Sequence, residues 1–165
     1  MTDVLPSPCS AAREAAAASF ECRPVRGAAE LAEHHRIRRA VFVHEQRLFD
    51  GDDADGHDAS PATVHVLGLV GGVPVGTVRL YPVGEGGGWK GDRLAVLPEH
   101  RRSQIGRPLV RLAVQLAGAR GGTRMTASVQ APNTRFFATL GWTRVGGPFD
   151  LLGAAHQMMT IGLSS

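Results

Sequence analysis

The stretch Glu99-His-Arg-Arg-Ser-Gln-Ile-Gly-Arg107 carries the most readable chemistry in this chain. It follows the apolar run Arg93-Leu-Ala-Val-Leu97, which Pro98 ends, and precedes Pro108, placed where the first turn of a helix tolerates proline. Leu109, Leu112, Ala113, Leu116 and Ala117 then recur at helical spacing until Gly121-Gly122. A strand that turns into a helix presents unpaired backbone N–H groups at the positive end of the helix dipole, which suits phosphate or diphosphate. Arg101, Arg102 and Arg107 add positive charge, and Gly106 lets a ligand approach the main chain closely. The same residues also describe an ordinary strand–helix connection with solvated arginines, and spacing alone does not choose. Metal chemistry fits less well. An EF-hand frame with its glycine at Gly56 puts Gly51 and Ala62 where oxygen ligands belong, and a zinc-protease pair begun by His44-Glu45 meets Leu48 instead of histidine. No metal is expected.

The elements that must position this turn are legible from pattern. The chain has 165 residues, 43% of them hydrophobic, which implies a single domain with an ordinary core. Residues 1–22 are Ala/Ser/Pro-rich and read as a flexible lead-in, leaving 23–165 as the domain. Gly27 to Gln46 reads as a helix with Leu31, Ile37, Ala40, Val41 and His44 near one face. An acidic loop, Asp50–Asp58, follows. Val64–Val70 and Val73–Tyr81 flank Gly71-Gly72 as a hairpin. Gly84–Gly88 reads as flexible, Arg93–Leu97 as an inner strand and Met125–Val129 as a further strand. Asn133–Leu140 reads as a short helix, and Trp142–Val145 and Gln157–Leu163 as the last strands. The order implies an α/β (α+β) fold, a mixed sheet with helices packed on it. No run approaches the ~18 apolar residues of a membrane span, and the N-terminus lacks the basic front of a secretory signal. Cys9 and Cys22 are too few for a disulfide framework, so a cytoplasmic protein with reduced thiols is expected. The formal charge of +3 comes without a basic run interleaved with aromatics, and neither nucleic acid nor membrane is an expected partner.

Leu94-Ala-Val-Leu-Pro-Glu-His-Arg-Arg-Ser-Gln-Ile-Gly106 with Leu109 resembles the acetyl-CoA motif of the GNAT superfamily of N-acetyltransferases, whose turn reads Gln/Arg-x-x-Gly-x-Gly/Ala. The match falls on Arg101, Gln104 and Gly106, with Gln104 in place of the first glycine. Asn133, Phe136-Phe137 and Leu140-Gly141-Trp142 resemble that family's second motif. The resemblance implies a single GNAT-like domain with a mixed, mostly antiparallel central sheet flanked by helices. It also implies a coenzyme A pose. The diphosphate would rest on Arg101, Arg102, Ser103, Gln104, Ile105, Gly106 and Arg107. The pantetheine arm would run along Leu94, Ala95, Val96 and Leu97, within reach of Asn133. Where many relatives carry a tyrosine that protonates the leaving thiolate, this chain has Phe137; its only tyrosine is Tyr81.

A second resemblance covers the N-terminal half. Arg38-x-x-x-Phe42, Asp55-x-x-Asp58, Arg79 and Arg93 are similar to acyl-homoserine-lactone synthases, although Lys90 stands where those enzymes place an acid. As a substrate site, the carboxylates would hold an ammonium and the guanidinium forks a carboxylate; as an ion network, the same residues would position the first helix and its loop. Val41–Gln46, Leu48-Phe49, His65, Asp92–Val96 and His156–Met159 resemble the bacterial nitrogen-starvation-associated acetyltransferases, near the ElaA-like group. An amine acceptor must lose a proton near neutral pH, and Glu45, Asp58, His65 and Asp92 are the candidate bases, Glu45 first.

Taken together, the expected activity is transfer of an acyl group, acetyl from acetyl-CoA, to a small-molecule amine by direct attack. The alternatives are a synthase-like acyltransferase, or a coenzyme-A-binding regulator that has lost its transfer chemistry, motivated by Gln104 and Phe137. An edge strand near the C-terminus would support a homodimer by fold-level analogy.

Overall fold

The computed structural model describes residues 19–165. In chain order these form β1 (Phe20–Pro24), α1 (Gly27–Arg38), β2 (Val64–Val70), β3 (Val73–Val83), β4 (Gly88–Val96), α2 (Gly106–Ala119), β5 (Arg124–Gln130), α3 (Thr134–Thr139), β6 (Thr143–Leu151) and β7 (Ala154–Gly162). One seven-stranded sheet runs β1-β2-β3-β4-β5-β7-β6. Every neighbouring pair is antiparallel except β4 and β5. This is the mixed, mostly antiparallel sheet flanked by helices that the sequence implies.

Period-2 alternation assigns each face its own core. Val66, Val78, Leu80, Trp89, Met125, Ala127 and Met159 face α2, meeting Ile105, Leu109 and Ala113. On the other face Leu67, Leu69, Ala95 and Leu97 meet Ile37, Val41 and Phe42 of the first helix. Gly68 and Gly76 pair across β2 and β3 directly under the start of α2. A Cβ at either would come within 2.9 Å of Ile105 or Leu109, so their bare backbones let the basic turn press onto the sheet.

Four boundaries differ from the sequence reading. Phe20, Glu21 and Cys22 belong to β1, paired with Val70, Leu69 and Gly68, so strand structure begins inside the expected lead-in; residues 1–18 lie outside the described residues. The first helix is α-helical only to Arg38 and then winds as a π-helix through Arg39–Glu45, with the Gln46 amide reaching back five residues to the Val41 carbonyl at 2.8 Å. β4 begins at Gly88, absorbing one end of the glycine stretch, because Gly88–Lys90 find partners on β5 far along the chain. β6 runs to Leu151 through Gly146-Gly147-Pro148, where its pairing with β7 shifts register. A bulge of that kind breaks the alternation by which strands are recognised.

Candidate active site

The parallel pair β4–β5 is short. Gly88, Trp89 and Lys90 pair with Arg124, Met125 and Thr126, and no later residue of β4 pairs with β5. Past that junction lies a cleft with a cavity volume of about 160 Å3, walled by Asp92–Leu94 on one side and Ala127–Gln130 on the other, with Val110 and Ala113 of α2 beneath. The β4 wall is reshaped by a bulge: Thr77 pairs with Ala95 and Arg79 with Asp92, so Arg93 and Leu94 together oppose Val78. Arg93 adopts φ +54 there, a left-handed backbone costing roughly 1 kcal/mol or more for a residue with a Cβ. The Thr77 hydroxyl, donating to the Arg93 carbonyl at 2.8 Å, helps hold it.

The basic turn follows directly. Pro98–Ser103 form a 3-10 turn, and Gln104 then takes φ +60, ψ +24. A glycine is favoured at such a position, so Gln104 departs from the motif in residue type while the turn keeps the left-handed geometry. No side chain caps the start of α2; the nearest approach is the Ser103 hydroxyl, 3.4 Å from the Ile105 amide. Arg102 and Arg107 have no ion-pair partner among the described residues. Arg101 does. Its fork binds both oxygens of Glu45 while its Nε donates to the Val96 carbonyl at 3.2 Å. This guanidinium holds the Glu45 carboxyl below its ordinary range even though the pair stands partly in solvent.

Behind the bulge lies an ion network of Arg38, Arg79, Arg93 and Asp53, Asp55, Asp58, Asp92. Arg38 donates Nε to Asp53 at 2.7 Å and grips Asp58 with both terminal nitrogens. Arg79 binds Asp92 and Asp55 in bidentate fashion. Arg93 donates to the Asp53 carboxylate at 2.9 Å and to its carbonyl. Burial works to raise the Asp58 pKa, yet Arg38, the Asp55 amide and His65 outweigh it and hold the carboxyl well below the usual range. Asp55 is lowered too, mainly by Arg79. The forks of Arg38 and Arg79 are filled, and the network ties the acidic loop to the first helix, β3 and β4. Four carboxylates face three guanidiniums, and the Oδ1 of Asp53, a residue only 1% exposed, has no hydrogen-bond partner.

The structure distributes the candidate residues unevenly. Phe42, Asp92, Arg93, Leu94, Asn133 and Phe137 line the cleft. Asp92 spends both oxygens on Arg79, and Tyr81 OH lies 3.5 Å away, beyond ordinary O–H···O reach. His65 lines a different groove, with Val25, Pro61 and Trp89. Its Nε2 sits 3.1 Å from Asp58, and burial lowers its pKa. Glu45 stands at the end of the π-helical turn beside Arg101. Cys22 sits on the edge strand β1 with its thiol pushed up to about 11, chiefly by burial. Sequence reasoning gives three cleft or network residues no role of their own. Asp53 is indistinguishable from its acidic neighbours, while Trp142, whose buried Nε1 has no hydrogen-bond partner, and His156, which reaches the cleft through strand register, enter only within stretches that resemble the family.

A short parallel junction, a bulged strand and a basic turn leading into a helix mark an acyltransferase fold, and the chain belongs to the acetyltransferase (GNAT) family, whose model matches residues 26–142. A Bacillus subtilis (strain 168) protein, carried under an acetyltransferase name assigned by inference, is 31% identical over 125 residues, 75% of this chain and 84% of that one. Among solved structures, Escherichia coli ElaA superposes with a TM-score of 0.77 at 21% identity, covering 86% of this chain and 99% of the other. The CoA-dependent acyl-homoserine lactone synthase BjaI, solved with SAM and isopentyl-CoA, gives 0.69 at 21% identity over 81% and 75% of the two chains. No helix among the described residues is long and apolar enough to cross a membrane.

Proposed function

We propose that this protein is an acyl-CoA-dependent N-acyltransferase that moves acetyl from acetyl-CoA to a small-molecule amine. The observation that carries this reading is the unpaired edge of β4 past Lys90, which runs from an open cleft straight into a basic turn with no side-chain cap. The main chain of Arg102–Arg107 receives the coenzyme diphosphate, the Gln104, Ile105 and Arg107 amides exchanging the long 3.3–3.4 Å bonds they make within the turn for phosphate oxygens, helped by Arg102 and Arg107. Leu94–Leu97 align the pantetheine arm as an added strand, with Asn133 and Phe137 along its course. The unpartnered Trp142 Nε1 supports a carbonyl-bearing ligand in the cleft. A main-chain N–H of the Leu94–Leu97 segment steadies the oxyanion as the amine attacks the thioester carbon. The acceptor enters beside Phe42, Asp92 and Arg93. Isothermal titration with acetyl-CoA and with free coenzyme A tests this directly: micromolar binding of both is expected, and no heat at high micromolar ligand would overturn it. A second reading, a synthase-like reaction on an S-adenosylmethionine-type cation, draws on the excess carboxylate and the free Asp53 oxygen; product mass spectrometry with both acceptor types separates the two.

A further inference from the structure

The proposed transfer needs a group that removes a proton from the acceptor nitrogen, and each candidate named from the sequence is already engaged. Glu45 is clamped by Arg101 and Asp92 by Arg79. Asp58 is held by Arg38, and His65 faces another groove. His156 is different. It lines the cleft and is 5% exposed, at the start of β7. Its Nδ1 lies 2.8 Å from the Ala154 carbonyl, and since a carbonyl only accepts, Nδ1 carries the hydrogen. In the neutral ring Nε2 therefore holds a lone pair, and it has no partner among the described residues.

Register places this lone pair on the acceptor side. His156 pairs with Gln130 of β5, and cross-strand partners share a face. Gln130 donates to Gln46, just past the π-helical turn, at 2.9 Å. The alternate residues Met125, Ala127, Val129 and Met159 face α2, the side on which the coenzyme turn lies. The first helix meets this face through the neutral Phe42 and Gln46, with Glu45 turned to Arg101. β5 presents Ser128 and Gln130, and β6 packs the Phe149 ring against the imidazole at 6.0 Å, with Asp150 alternating to the other face. The charged residues lining the cleft are Lys90, Asp92 and Arg93, the last two bound into the ion network.

We infer that His156 is the general base of this cleft, an inference that rests on the acyltransferase reading above. Nε2 takes the proton that the amine nitrogen sheds as it bonds the thioester carbonyl carbon; the C–S bond then breaks, and the departing thiolate takes up that proton to leave as free thiol. The Ala154 carbonyl fixes the ring and its tautomer, as a second hydrogen bond does for a base that must present one chosen nitrogen.

The test combines thiol release, binding and spectroscopy on the full chain. Acetyl-CoA is the donor. The acceptor is the fastest of 2-phenylethylamine, putrescine, glucosamine and a lysine peptide; if none is acylated, the readout is hydrolysis by water, whose deprotonation uses the same lone pair. His156→Gln is expected to lower kcat about 100-fold, to remove the acid limb of its pH profile, and to leave the dissociation constant for coenzyme A unchanged. Added imidazole restores part of the rate to His156→Ala. In the wild type, long-range 1H–15N correlation at pH 7.5 shows the Nδ1–H tautomer. Retention of kcat and of the acid limb in His156→Gln, or an Nε2–H tautomer, overturns the role while leaving the acyltransferase standing. Failure of the wild type to bind acetyl-CoA overturns both.

Discussion

His34 sits on α1 fully buried, with Nε2 3.2 Å from the Val78 carbonyl and the His65 ring edge-on at 5.0 Å. Burial, helped by the charges of His65, Arg38 and His35, pushes its pKa down to about 3, against the pull of the Val78 hydrogen bond. The folded pKa therefore lies below the unfolded value of 6.5. Stability from keeping this ring neutral is whole above pH 6.5 and drains away as pH falls from 6.5 toward 3, because only the unfolded chain takes the proton there. Between pH 8 and pH 5 that single protonation favours the unfolded state by about 2 kcal/mol, roughly 4–8 °C in Tm for a chain of this length. Burial lowers His65 as well, so its contribution has the same sign. Urea unfolding at pH 8 and pH 5 measures the effect. The wild type is expected to lose at least 2 kcal/mol, and His34→Gln about 2 kcal/mol less than the wild type. The packing loss in the variant enters at both pH values and cancels in the comparison. An equal pH-dependent loss in the two proteins would refute the reasoning.

Two further perturbations separate the fold from the proposed coenzyme site. A Cβ on Gly106 meets only Phe136, at 3.7 Å, so Gly106→Ala is expected to change unfolding free energy by less than about 1 kcal/mol while weakening coenzyme A roughly tenfold in titration. Loss of stability without loss of binding would refute its place in the turn. Glu45→Gln releases Arg101 from a pair whose side chains are 33% and 45% exposed. Such pairs are worth about 0.2–1 kcal/mol, so coenzyme A should bind up to about fivefold more tightly; weaker binding would show that Arg101 does not turn to the diphosphate.

The sequence announces the strand, basic turn and helix over residues 93–117 because each boundary has local chemistry: Pro98, Gly106, Pro108 and Gly121-Gly122. The hairpin around Gly71-Gly72 is legible for the same reason. What escapes is set by distant partners. Hydrophobic periodicity finds Ile37 and Val41 on the first helix but passes over Arg38, which is as buried as either because Asp53 and Asp58 complete its bonds. The bulge at Arg93 has no glycine to mark it; its left-handed backbone survives through Thr77 and Asp53. His156 is one polar residue at the start of an edge hairpin until register sets it beside Gln130. The candidate site was thus half visible. The proposed coenzyme side is written in consecutive residues, whereas the proposed acceptor side is assembled from the first helix, the acidic loop, β4 and β7.

The brevity of the β4–β5 junction has a mechanical meaning. The sheet is two panels, one of four strands and one of three, stitched along a seam of only three rungs. On the proposed reading, a thioester carrier seated in the gap beyond the seam supplies rungs the protein lacks and acts as a splint. Occupancy should be felt as stiffness across both panels, far from the reacting atoms.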